Sequence, residues 1–121
     1  MARFLLVLKP RLPMDSATLI ACLAPVLAGL GAEVDHRTPA HLSALLKAGV
    51  EGLNLQLYAD VQNQSTGRAI ELVLISRESM GSGAPRTRQV FDQLIALVEQ
   101  RLEGMDLQFR SDLQGPLQTA P

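Results

Sequence analysis

Two histidines and two carboxylates lie close together in the chain and are the residues best suited to bind a metal ion. His36 and His41 are the only histidines, and Glu33 and Asp35 lie just before the first of them. Zinc in proteins usually takes three or four ligands in a closed geometry, with recognisable spacings along the chain. The spacing here matches none of these, so the sequence predicts no metal site and no cofactor.

Nucleophilic or acid–base chemistry has two further candidates. Cys22, the single cysteine, lies in the apolar run LIACL, which predicts a small buried side chain rather than an exposed, activated thiolate. Tyr58 and Glu71 could pair on one face of a sheet, but only analogy with other folds gives that pair a catalytic role. We therefore expect a non-catalytic protein.

Cations cluster in two loops, each following an apolar run of strand length. If these two runs are parallel neighbours, both loops lie at one edge of the sheet. The second loop carries glycines and precedes a helix, and the backbone N–H groups at a helix start attract anions. The sequence thus predicts a site for a small anion, formed by Lys9, Arg11, Arg77, Ser82, Gly83, Arg86 and Arg88.

The same cationic loops have a simpler interpretation. Gly81-Ser82-Gly83 is also typical of a flexible connection, and exposed arginines keep proteins in solution. Asp15 or Glu78 could pair with the arginines and close the site. The loop lacks the lysine and the spacing of a phosphate-binding P-loop.

Hydrophobic spacing predicts the elements that would position these groups. Continuous or alternating apolar residues indicate strands at 3–9, 52–61, 69–77 and 106–110. A helix is expected from Asp15 or Ser16 to about Leu30, with a kink or break at Pro25. A second helix begins at Pro85, carries a regular apolar stripe and ends near Gly104.

Residues 32–49 lie between the first helix and the second long strand. Residues 32–37 predict a short edge strand. Thr38 and Pro39 resemble a helix N-cap and first turn, and Gly49 would close a short helix that carries Leu42, Leu45 and Leu46.

The order of elements predicts an α+β fold, the ferredoxin-like split βαβ sandwich (βαββαβ), with a short strand and helix inserted at 32–49. Residues 1–110 would form a single domain and residues 111–121 a mobile C-terminal tail. The nearly continuous apolar runs of the first and third strands suggest that these two are central and parallel, whereas the other two alternate like edge strands. A five-stranded mixed sheet with 32–37 as a full strand is the alternative.

Both long helices should cover one face of this sheet and leave the other, here termed the open face, without a helix. An aliphatic centre with a polar rim is typical of an interface. We expect this face to bind a protein partner or a second copy in a homodimer. The inserted helix could cover it instead. The interface residues predicted on it are Leu5, Val7, Tyr58, Val73 and Ile75.

The net charge and the composition of the whole chain restrict the function further. Among 121 residues the net charge is -1 and aromatic residues make up 3%, so neither the charge nor the stacking platforms of a nucleic-acid-binding protein are present. The apolar run 17–32 is short and contains Pro25, which argues against a membrane span. Cys22 follows a lipobox-like run, but charge and two prolines interrupt the segment before it, so a cytoplasmic protein is expected. A non-catalytic binding or assembly module fits best; the alternative is a protein or enzyme that holds a small anion at the basic edge.

Overall fold

The structure is a computed structural model that describes residues 1–47 and 53–111. The predicted mobile tail lies outside the described residues except for Ser111. In chain order the elements are β1 (Ala2–Pro10), α1 (Ser16–Ala21), α2 (Ala24–Leu30), β2 (Glu33–Arg37), β3 (His41–Lys47), β4 (Asn54–Gln64), β5 (Gly67–Ser76), a 3-10 turn (Met80–Ser82), α3 (Pro85–Arg101) and β6 (Met105–Arg110).

The strands form one open sheet in the order β2-β3-β4-β5-β1-β6, and every neighbouring pair is antiparallel. The α+β class is confirmed. A ferredoxin-like split βαβ arrangement is not, because the strand order differs. The strands predicted as first and third, β1 and β5, are neighbours, but they run antiparallel, so the prediction of parallel strands is wrong. The strand β4 was predicted as an edge strand but lies inside the sheet, because β3 pairs with the side of β4 that does not face β5.

The predicted helix at 38–49 is wrong over the part that the structure describes. Residues 41–47 form β3, which pairs with β2 on one side and with β4 on the other. Leu42 and Leu46 are spaced for a helix turn, but with Ala44 they also alternate along a strand, and all three are buried. Thr38 makes the turn of the β2–β3 hairpin, where its amide donates to the His41 carbonyl at 2.7 Å.

The helical segment after β1 follows the predicted signals closely. The Asp15 carboxylate accepts a hydrogen bond from the Thr18 amide at 2.8 Å and caps α1. Pro25 lies in the first turn of α2, and the helix is broken just before that turn. Gly31 ends α2 with φ 65°, a left-handed conformation that favours glycine. Among the described residues, no helix has both the length and the apolar character needed to span a membrane.

All three helices pack on the same face of the sheet and form one core with it. Phe4 of β1 stacks on Phe91 of α3 with ring centroids 5.1 Å apart. Gly29 lets α2 approach α3 closely, since a Cβ there would lie 2.6 Å from Leu97 Cδ2. The strand residues in this core alternate along the chain, and those of β1, β4 and β5 are Ala2, Phe4, Leu6, Leu8, Leu55, Leu57, Ala59, Ile70, Leu72 and Leu74.

Candidate functional site

The predicted anion edge is divided between the two ends of the sheet. Ala2 pairs with Ser76, and Leu8 pairs with Ile70. Lys9 and Arg11 therefore lie beside the start of β5, whereas the loop after Ser76 lies beside the start of β1. Because β1 and β5 are antiparallel, their loops cannot meet at one edge. The structure does not bring Lys9 and Arg11 together with Arg77, Ser82, Gly83, Arg86 and Arg88.

A carboxylate of the chain itself occupies the N-terminus of α3. Glu78 accepts hydrogen bonds from the amides of Thr87 at 2.7 Å and Arg86 at 3.1 Å, and from the Thr87 hydroxyl at 2.7 Å. Partial burial raises the pKa of Glu78, but the hydrogen bonds from Thr87 and Arg86 outweigh it and hold the pKa below its ordinary value. Two of the backbone amides at the helix start, which were predicted to attract an external anion, thus already donate to Glu78.

The open face carries a strip of apolar side chains along its central strands. Leu5 of β1 lies opposite Val73 of β5, and Val7 lies opposite Phe109 of β6. Val7 and Val73 are 8% and 6% exposed and do not belong to the core under the helices. Leu5 and Ile75 are only half-buried. The four predicted aliphatic residues therefore lie side by side on the open face together with Phe109, with Val7 and Val73 nearly buried and Leu5, Ile75 and Phe109 partly exposed.

Polar side chains occupy the other half of the open face, on β2, β3 and β4. Tyr58 lies opposite Val73 on one side and Ser43 on the other, so it marks the border between the two halves. Asp35 accepts hydrogen bonds from Ser43 at 2.5 Å and from Gln56 at 3.2 Å. The bonds from Ser43 and Gln56, in that order, lower the pKa of Asp35 despite an opposing effect of desolvation by the neighbouring side chains.

One histidine of this polar half is held by a carboxylate. His41 Nδ1 lies 2.6 Å from Asp60 Oδ1, and the His41 ring is 5.8 Å from His36 and 6.2 Å from Tyr58, between centroids. An oriented histidine can act as a general base when a nucleophile is within reach. The Ser43 hydroxyl, however, is donated to Asp35.

The side chains considered for metal and thiol chemistry lie apart from one another. Within residues 1–47 and 53–111, no three His, Cys, Asp or Glu side chains are arranged to hold a metal ion. Cys22 lies at the break between α1 and α2, half-buried, with Sγ 3.7 Å from Met14 Sδ. It belongs to the helix layer, on the opposite side of the sheet from His41.

A recess of about 380 Å³ lies at one end of the open face, where β1 begins and β5 ends. Leu45, Leu53 and Ile75 give it an apolar wall, and Arg77 lies at its rim. Its size is at the lower limit for small-molecule pockets, about 300–1,000 Å³, so it suits a side chain better than a large ligand. Its residues are Met1, Leu45, Leu53, Asn54, Gln56, Ile75, Ser76 and Arg77.

Sequence reasoning missed three features of these surfaces. Phe109 was part of a predicted strand, but its face depends on the register shift between β1 and β6. The His41–Asp60 pair required β3 to be a strand beside β4, and the predicted helix concealed it. Arg68 lies near Lys9 only because β5 runs antiparallel to β1.

The chain matches no family model. It also has no detectable similarity to any curated protein.

Proposed function

We propose that the chain is a non-catalytic assembly module whose open face binds a second copy of the same chain. The observation that carries this proposal is the apolar strip of Leu5, Val7, Val73 and Ile75, with Phe109, on the side of the sheet that the described helices leave uncovered. A contiguous apolar surface with polar flanks is the usual mark of a protein interface. The β2–β3 hairpin extends the sheet and does not cover the strip.

The size of the face supports a stable contact. The six strands are five to eleven residues long, about 16–36 Å, and lie about 4.8 Å apart, so the whole face presents on the order of 700 Å². A standard protein interface buries about 800 Å² on each partner. The whole face, apolar strip and polar half together, is therefore close in size to one side of a standard interface.

The chemistry of the face supports an identical partner. In a twofold contact each patch meets its own copy, so an apolar strip packs on an apolar strip. Charges of both signs flank the apolar strip and form its rim: Arg3 and Lys9 lie on β1, Asp60 lies on β4, and Glu71 of β5 lies directly opposite Val7. A twofold rotation can pair such a rim with itself, whereas a rim of one sign would repel its copy.

Native mass spectrometry and light scattering across a dilution series test the proposal. We expect a dimer for the wild type and a monomer for Leu5→Asp and Ile75→Asp, because each substitution places a charge in the apolar strip. Both positions are only half-buried, so the fold should survive, which circular dichroism checks. Leu12→Asp is the matched control, since Leu12 is 76% exposed in the loop after β1. A monomeric wild type, or a dimer unaffected by both face variants, would contradict the proposal.

A further inference from the structure

A cleft of about 360 Å³ lies at the end of the sheet opposite the recess, between the end of β1 and the β4–β5 turn. The antiparallel pairing of β1 with β5 brings these two segments together. We refer to it as the basic cleft. Its residues are Lys9, Pro10, Arg11, Pro13, Met14, Asn63, Gln64, Thr66, Gly67 and Arg68.

The charge of the basic cleft has one sign. Lys9, Arg11 and Arg68 line it, and the other polar side chains are two amides and a hydroxyl, so no carboxylate is among its lining residues. Like charges that line one cleft repel one another, and a bound anion relieves the repulsion. A cation cluster in a concavity also concentrates field lines and attracts anions.

The existing partners leave much of this charge available. Lys9 Nζ donates to the Thr66 hydroxyl, and Arg68 Nη1 lies 3.4 Å from the Met14 carbonyl. Both acceptors are neutral. In the part of the chain that the structure describes, only Arg11 of the three cations forms an ion pair, with Asp106 at 2.8 Å. That pair is more than half exposed and therefore weak.

One other carboxylate lies near enough to act on Arg68. Asp15 has its pKa lowered mainly by hydrogen bonds from Thr18, with a smaller contribution from the Arg68 charge. Its Oδ1 is used by the Thr18 amide at 2.8 Å as the cap of α1. Asp15 thus lowers the positive potential near Arg68 without entering the cleft.

We propose that the basic cleft binds a small multivalent oxyanion, such as a phosphorylated or polycarboxylate molecule. Arginine binds two oxygens of a phosphate or carboxylate with its planar fork, and lysine adds a compact charge. The Thr66 hydroxyl and the amides of Asn63 and Gln64 supply neutral hydrogen bonds. The volume suits a small ligand. This inference does not rest on the proposed dimer: Lys9 also flanks the open face, but Arg11 and Arg68 belong to the cleft alone, and anion binding can be measured whether or not the chain dimerises.

Calorimetric titration with pyrophosphate and with citrate, at constant ionic strength, tests the proposal. The variant Lys9→Ala/Arg68→Ala removes two charges, and we expect it to bind each anion at least about tenfold more weakly, the effect of losing a charged hydrogen bond. Arg86→Ala/Arg88→Ala removes the same charge at the other end of the sheet and should bind like the wild type. Tighter binding of pyrophosphate indicates a phosphorylated ligand, and tighter binding of citrate a polycarboxylate.

Amide chemical shifts of the wild type give a second test that needs no variant. On titration with either anion, the largest shifts should lie at Lys9, Arg11 and residues 63–68. The proposal would be overturned if the wild type bound neither pyrophosphate nor citrate. Chemical shift changes centred on the start of α3 would also overturn the proposal, and so would an equal loss of anion affinity in both double variants. Either result would indicate that the protein responds to anions through its net charge alone.

Discussion

Glu78 caps α3 through Thr87, whose amide and hydroxyl both lie 2.7 Å from the same carboxylate oxygen. The hydroxyl of Ser76 lies 2.6 Å from that of Thr87 and accepts the Glu78 amide at 3.0 Å. Because Thr87 donates its single hydroxyl proton to Glu78, Ser76 must donate to Thr87. The closed network joins the end of β5 to the start of α3 and holds an internal carboxylate at this helix terminus.

The cap predicts how stability depends on pH. The pKa of Glu78 is lower in the folded protein than its ordinary value of 4.5. The ionised carboxylate therefore stabilises the fold at pH values above 4.5, and this contribution is lost as the pH falls through the lowered folded-state pKa. Glu78→Gln should unfold several degrees below the wild type at pH 7 and show little difference near pH 3. Thermal unfolding at both pH values measures this, and an equal difference at both would contradict the cap.

Thr87 should contribute to stability out of proportion to its size. Its side chain is fully buried, and Thr87→Val keeps the shape while removing the hydroxyl from Ser76 and Glu78. Leaving buried polar partners unsatisfied costs about 1–3 kcal/mol, which denaturant unfolding resolves. Ser82→Ala removes an exposed hydroxyl from the same loop and should cost less than about 0.5 kcal/mol. Equal stability of the two variants would rule out the network as a source of stability.

The residues of the β2–β3 hairpin show where prediction from sequence ends. The cap at Asp15, the break at Pro25 and the stripe of α3 are local signals, and the structure has them as predicted. The spacing of Leu42 and Leu46 fits both a helix and a strand. Pairing with β4 decides that this segment is a strand, and no signal within residues 41–47 indicates that pairing. The direction of β5 relative to β1 is also a property of the whole sheet. This direction determines which cationic side chains lie near Lys9.

Asp35 should hold β2 against the rest of the sheet. It accepts hydrogen bonds from Ser43 of β3 and Gln56 of β4, while all five residues of β2 are exposed. Removing one donor with Ser43→Ala should make the β2 amides exchange about fivefold faster, because β2 opens locally while β5 stays closed. Hydrogen exchange resolved by residue measures this, with Gln62→Ala as a control that removes a donor to Glu71 instead. Equal acceleration of β2 and β5 would indicate a global effect.

His41 provides a test of the polar half of the open face. An ionised Asp60 can only accept, so the 2.6 Å contact requires the proton of neutral His41 to lie on Nδ1. This tautomer leaves Nε2 as a hydrogen-bond acceptor, which a partner could meet with a donor. Ring nitrogen shifts measured by NMR at high pH should show the Nδ1–H form in the wild type.

The variant Asp60→Asn separates the effect of the carboxylate from that of the surrounding face. An asparagine can donate as well as accept, so His41 is no longer restricted to one tautomer, and we expect a larger share of the Nε2–H form. His36 serves as the reference in the same spectrum, because its ring lies 5.8 Å from that of His41 and experiences the same solution conditions. If His41 keeps the Nδ1–H form in Asp60→Asn, the ring is held by packing against Tyr58 and His36 rather than by the carboxylate.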